Sequence, residues 1–150
     1  MSNRKSSIQT GLASMLAAEI RAIARKLKLR LREHGGRNDL TSSQVSVVLR
    51  LEKDGSATVS SLARAEGMRP QSMSAVVTPL RESGLVSGAP DLSDGRQTLM
   101  SLTPKCQKLL QVGRAARQDW LTTTISQKLS VHEQKKLQAA LELLKRLAED

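Results

Sequence analysis

Apolar residues return at helical spacing along almost the whole chain, and one short stretch breaks the rule. Leu12, Leu16, Ile20, Ile23, Leu27 and Leu31 recur every three or four positions, which predicts a helix from about Ile8 to Glu33. Arg21, Arg25, Lys28 and Arg32 form a second, basic stripe on another face, and Gly35-Gly36 stops the run. A helix this long exceeds what a small lobe can cover, so its apolar stripe is expected to pack against another subunit.

Leu40-Thr41-Ser42-Ser43-Gln44-Val45 has the chemistry of a helix start. Thr41 can cap the amide of Gln44, Gln44 can reach back, and Leu40 can staple onto Val45. Val45, Val48 and Leu49 are then expected to face inward until Asp54-Gly55 closes the helix. A short helix over Val59–Glu66, capped by Thr58 and ended by Gly67, should carry Leu62, Ala63 and Ala65 inside.

Arg69-Pro70 opens the helix PQSMSAVVTPLRES, with proline suited to a first helical turn. Met73, Val76, Val77 and Leu80 make one apolar face. Gln71, Ser74, Ala75 and Thr78 project to the opposite side, so the outer face is small, uncharged and able to hydrogen-bond. A merely solvated face more often carries Lys and Glu. Pro79 cannot donate to the Ala75 carbonyl, which predicts a kink that tilts the half carrying Thr78 and Arg81.

The exception to helical spacing is PDLSDGRQTLMSLTP, residues 90–104. Gln97 to Leu102 alternate, which puts Thr98, Met100 and Leu102 on one face of a strand, and Asp94-Gly95 is the pair that a tight hairpin turn favours. Leu85-Val86 starts the partner strand after Gly84 ends the preceding helix. Thr103-Pro104 then caps a helix reaching about Ile125. Ser130-Val131-His132-Glu133 is a capping box for a last helix whose Leu137, Leu141, Leu144 and Leu147 line a seam. The predicted order is four helices, a hairpin and two helices.

Composition narrows the function. Phe and Tyr are absent and Trp120 is the one aromatic, so the core must be aliphatic, and the composition weighs against recognition surfaces that stack bases on aromatics. The net charge of +10 suits a polyanionic partner. It does not locate the contact, because residues 1–40 carry +6, residues 41–102 sum to zero and residues 103–150 carry +4. A single cysteine, Cys106, fits a reducing compartment, and the absence of a signal-like or membrane-length apolar run makes a cytoplasmic protein the expectation. Cys106 reads as a small packing residue. His34 and His132 lack neighbouring ligands for a metal, and no catalytic signature is present, so neither a cofactor nor an enzyme is expected.

Two short helices, a third with a small polar outer face and a hairpin compose a winged helix-turn-helix in a mostly α fold. Such a helix can enter the major groove and hydrogen-bond base edges, while the hairpin rests on phosphates or the minor groove. LTSSQVSVVLRL, SSLARAEGMRPQSMSAVV, LRESGLV and PDLSDGRQTLMSLTP together resemble the MarR (multiple antibiotic resistance regulator) transcription factors over nearly the whole chain. The resemblance implies a homodimeric, ligand-responsive regulator of bacterial promoters, with Pro70–Ser83 reading the major groove and Asp91–Gln97 as the wing. The family's wing commonly reads Asp-x-Arg-Asp-x-Arg. Here Ser93 stands at the first arginine and Gly95 where many members have another, leaving Arg96.

The expected organisation is therefore a dimerisation helix over 1–36, a DNA-binding lobe over 37–103 and dimerisation helices over 104–150. Arg69, Gln71, Ser72, Ser74, Ala75, Thr78 and Arg96 are the expected DNA contacts. Asp91, Ser93, Asp94, Gly95 and Arg96 form the wing, and Leu12, Leu16, Ile20, Trp120, Leu137, Leu141 and Leu144 serve dimerisation. The expected partners are pseudo-palindromic double-stranded DNA, a second copy of the chain and a small apolar or aromatic effector. A winged-helix module that binds protein instead, and a nonspecific architectural DNA binder, are the rival readings.

Overall fold

The computed structural model describes residues 2–36 and 39–150, with side chains from residue 9 onward. The expected domain limits at Met1 and Arg37 lie outside the described residues. The elements run α1 (Ser2–His34), α2 (Ser42–Asp54), β1 (Ala57–Thr58), α3 (Val59–Ala65), α4 (Pro70–Glu82), β2 (Val86–Pro90), β3 (Thr98–Leu102), α5 (Pro104–Lys128) and α6 (Val131–Ala148).

Local chemistry sets most of these boundaries. Thr41 and Gln44 close a reciprocal capping box, with Oγ1 of Thr41 accepting from the Gln44 amide at 3.2 Å and Oε1 of Gln44 accepting from the Thr41 amide at 2.9 Å. Ser130 and Glu133 repeat the arrangement at α6. Thr58 and Thr103 cap α3 and α5 through their side-chain oxygens. Each cap satisfies helix N–H groups that otherwise have no partner. Gly84, at φ 74, turns the chain out of α4 in the left-handed region that favours glycine. Two helices outrun their expected bounds: α1 begins before Ile8, and α5 continues past Ile125 to Lys128.

The sheet has the order β1-β3-β2, all antiparallel. Val86 pairs with Leu102 and Pro90 with Thr98 in the hairpin. β1 is an addition to the expected order: Ala57 and Thr58 pair with Met100 and Leu99 on the other edge of β3. A two-residue strand has no periodicity to read, and Thr58 carries a second role as the α3 cap.

One aliphatic core fills the space between α2, α3, α4 and the sheet and reaches the start of α5. Val47, Val48, Leu51, Leu62, Ala63, Met73, Val77, Leu80, Val86, Met100, Cys106 and Leu110 are buried there. Two expected inward faces are corrected. In α2 the core face is Val47, Val48 and Leu51, with Val48 alone retained from the expected set, because Val45 and Leu49 turn toward α1 and line a cleft with its Leu27 and Leu31. In α3, Ala65 is exposed, since the helix ends there and Glu66 bends back to α2.

The remaining helices project from this lobe. α1 is 33 residues, about 50 Å long at the usual rise. Its Leu12, Leu16, Ile20 and Ile23 are exposed in the isolated chain, as are Leu137, Leu141, Leu144 and Leu147 of α6. α1 is tied to α5 at its C-terminal end. A Cβ on Gly113 would lie 2.5 Å from the Gly35 carbonyl oxygen, so only glycine permits this approach. His34 stacks on Trp120 with ring centroids 4.6 Å apart, and the Arg30 guanidinium lies 5.8 Å from the Trp120 ring.

Truncating Leu62, which is 0% exposed, to alanine is expected to cost about 2–5 kcal/mol in denaturant unfolding. Truncating the equally large but fully exposed Leu92 should change stability by no more than about 0.5 kcal/mol.

Candidate nucleic-acid interface

α4 is held by one side and bare on the other. Met73, Val77 and Leu80 are closed off from water, with Val76 half-buried beside them. Gln71, Ser72, Ser74, Ala75 and Thr78 are exposed, and Arg69 stands exposed at the N-cap with no side-chain capping bond. The helix runs unbroken through Pro79 to Glu82. The Thr78 hydroxyl donates to the Ser74 carbonyl at 2.8 Å, so its proton is already used and it is left to act as an acceptor. Gln71 and the two serines keep both donor and acceptor capacity. The resulting flank is low in relief and free of charge, which suits close approach to base edges.

The wing differs from the tight turn expected at Asp94-Gly95. Residues 91–97 form a longer loop closed by the Asp91 amide donating to the Gln97 carbonyl at 2.9 Å. Gly95 is outside the positive-φ region that a two-residue hairpin turn of this kind requires. The loop is shaped by the Gln97 amide donating to the Asp94 carbonyl at 3.0 Å and by its acids. Oδ1 of Asp91 accepts from the amide and the hydroxyl of Ser93 at 2.9 and 3.0 Å, and Oδ1 of Asp94 accepts from the Arg96 amide at 3.2 Å. The Ser93 bonds hold the Asp91 carboxyl below its ordinary range. With both carboxylates bonded inside the loop, the Arg96 guanidinium makes no ion pair among the described residues. Leu92 stands fully exposed in this loop.

Folding segregates charge that is balanced in sequence. Arg50 binds Glu66 at 2.9 Å and Asp54 at 3.8 Å, and Arg114 of α5 grips Glu52 with both nitrogens. The two guanidiniums thereby offset two of those three negative charges on the α2 side of the lobe. Arg69 and Arg81 at the two ends of α4, Arg96 on the wing and exposed Arg64 of α3 make no ion pair among the described residues. Lys105 binds the Ser83 carbonyl at 2.8 Å at the end of α4. A lobe of zero formal charge thus presents four unpaired arginines around its uncharged reading surface, with exposed Glu82 the one acid on α4.

The other candidate residues take separate positions. A cleft of about 670 Å3 opens between α1, α2 and α5, with Leu27, Leu31, Val45 and Leu49 as apolar wall and Lys28, Arg32 and Arg117 as cations. Arg32 also donates to the Leu40 carbonyl at 2.9 Å. All four residues of the basic α1 stripe are exposed, and of them Lys28 and Arg32 line the cleft. Burial lowers the Arg117 pKa, and the neighbouring Arg114 adds to the shift. Trp120 lines a second opening of about 360 Å3 with Ile23, Leu27 and Arg30. Cys106 is a core residue whose thiol is pushed up by burial, assisted by the Glu52 carboxylate.

This arrangement has counterparts. The MarR family model matches residues 40–98, which span α2 through the wing. A Mycobacterium bovis protein described as an HTH-type transcriptional regulator is 32% identical over 135 residues, covering 90% of this chain and 94% of its own. The chain belongs to the MarR family. A Pseudomonas aeruginosa crystal structure described as a transcriptional regulator superposes with a TM-score of 0.76 at 33% identity, covering 89% of this chain and 94% of that one. MepR of Staphylococcus aureus, solved bound to an oligodeoxyribonucleotide, shares the fold at a TM-score of 0.72 and 20% identity, covering 89% of this chain and 98% of its own. As a MarR-family member the chain is a transcriptional regulator and not an enzyme. None of its described helices is long and apolar enough to cross a membrane.

Sequence reasoning placed the α4 flank and the wing of this MarR-family lobe, and missed the charge margin and the residues that line the cleft. Both depend on which side chains meet across elements. Glu66 offers a check on the charge pattern. Bonds from Arg50, then from Ser46, lower its pKa below the ordinary 4.5, so its stabilising contribution is present above that value and lost as pH falls through the lowered one. Thermal unfolding should show wild type above Glu66→Gln at pH 7, with the gap closing as pH drops below about 4.5.

Proposed function

We propose that the protein is a ligand-responsive repressor that binds pseudo-palindromic duplex DNA as a homodimer in the cytoplasm. The observation that carries this reading is the two-sided character of α4: Met73, Val77 and Leu80 anchor it while Gln71, Ser72, Ser74, Ala75 and Thr78 stand free. Seated in a major groove, these groups would contact base edges and Arg69 the adjacent phosphates. Arg96, with the acids of its loop otherwise engaged, would reach the backbone or minor groove beside the wing. No cofactor enters this mechanism.

Residues 37–103 would then form the DNA-binding lobe, with 1–36 and 104–150 holding two copies together. Support for the dimer comes from the stripes at Leu12, Leu16 and Ile20 and at Leu137, Leu141 and Leu144. These are exposed in the isolated chain and too extensive for an ordinary solvated helix face. Trp120, already stacked on His34, would stiffen the α1–α5 pair that presents them. A twofold mate would set two reading helices about one turn of duplex apart.

The cleft among α1, α2 and α5 suits a small apolar or aromatic effector. It lies where the long helices meet the reading lobe, so an occupant could favour a lobe spacing that misfits the operator. One feature supports a rival reading. Leu92 exposed on a wing with a single arginine would also suit a winged-helix module that binds another protein.

A mobility-shift titration against genomic fragments tests the proposal. Specific binding should weaken steeply with salt, Gln71→Ala should change sequence preference, and Arg96→Ala should weaken all sites alike. Equal affinity for scrambled duplexes would select an architectural binder, and no binding at all would select the protein-interaction module. Leu16→Glu combined with Leu141→Glu should give a monomer by sedimentation and reduce operator affinity by about 100-fold or more.

A further inference from the structure

Gly88 lies inside β2, paired with Met100, and its φ is outside the positive region. Backbone conformation therefore gives no reason for glycine at a strand position where it weakens the strand. Space gives one. A Cβ at residue 88 would sit 3.1 Å from Nη2 and 3.3 Å from Cζ of Arg81, and 2.8 Å from Cγ2 of Thr98. The missing side chain makes a seat in which the Arg81 guanidinium, coming from the last turn of α4, lies across the wing strand.

We propose that Arg81 is a DNA-backbone contact fixed at the junction of reading helix and wing, an inference that rests on the duplex-DNA reading above. With α4 in a major groove and the wing beside the adjoining minor groove, the ridge between the two grooves is the sugar–phosphate backbone. That ridge must pass the seam between α4 and β2, where Arg81 is seated. The guanidinium is exposed and has no ion pair among the described residues, so its donors are available to a phosphate. The wing has need of it: Ser93 and Gly95 carry no charge, Arg96 is its one cation, and residues 41–102 sum to zero. A cation near a helix C-terminus also complements the helix dipole, but that role needs no seat carved in a neighbouring strand.

The test uses the full chain and a duplex enriched from a random pool, titrated by fluorescence anisotropy across a salt series. Arg81→Ala should weaken binding about tenfold on enriched and scrambled duplexes alike. It should also flatten the slope of log affinity against log salt by about one per Arg81 engaged. Arg81→Lys should keep the slope. Gly88→Ala should weaken wild type by displacing the guanidinium and have little further effect when Arg81 is already alanine. Unchanged affinity and slope in Arg81→Ala overturn the proposal, as does a Gly88→Ala loss of equal size with and without Arg81. If wild type enriches no duplex, it is the DNA reading that fails, and with it this inference; a thermal melt of Arg81→Ala matching wild type keeps a folding defect from being mistaken for lost contact.

Discussion

The anchorage of α4 through Met73, Val77 and Leu80 is the constraint on which the rest of the molecule depends. A helix offered to a groove must surrender one face to the solvent and still keep a defined position. With no Phe or Tyr in the chain, that position is secured by aliphatic packing alone. Leu62, Val47 and Val48, all at 2% exposure or less, close around the buried side, and Met100 of the sheet completes the wall. Because such a core is dense and unforgiving of lost volume, it can hold the opposite flank rigid without any bond from the flank itself.

Charge is managed around that flank by pairing most of the acids that would repel a polyanion, with Glu82 at the end of α4 the exception among the described residues. Arg50 takes two acids and Arg114 reaches from α5 to take a third, while the wing's aspartates are spent on amides and a hydroxyl of their own loop. The four arginines left over stand on α3, at the two ends of α4 and on the wing. Formal charge counted along the chain hides this, since the balance of residues 41–102 is zero and the sorting is done by folding.

What could be read from sequence followed from locality. The capping boxes at Thr41 and Ser130, the glycine stop at Gly84 and the two-sided composition of PQSMSAVVTPLRES each lie within a few residues, and each is present in the fold. α2 was misread because Val45, Val47, Val48, Leu49 and Leu51 surround much of the helix. Periodicity cannot say which side meets the core and which meets α1. The wing was misread because Asp94-Gly95 suits a two-residue hairpin turn, while the actual loop runs over residues 91–97 and is set by bonds that the Asp91 and Asp94 carboxylates accept and by the Gln97 amide on the Asp94 carbonyl. The seat of Arg81 on Gly88 joins residues on different elements and carries no signature in the chain at all.

Chemical protection of a bound duplex tests most directly whether the free side of α4 sits in a major groove. Dimethyl sulfate methylates guanine N7 in that groove and adenine N3 in the minor groove. The account predicts N7 protection in two patches about one helical turn apart, each lost when Gln71, Ser72 and Ser74 are replaced together by bulky acidic residues. A tightly bound duplex whose guanine N7 positions all remain reactive would contradict it.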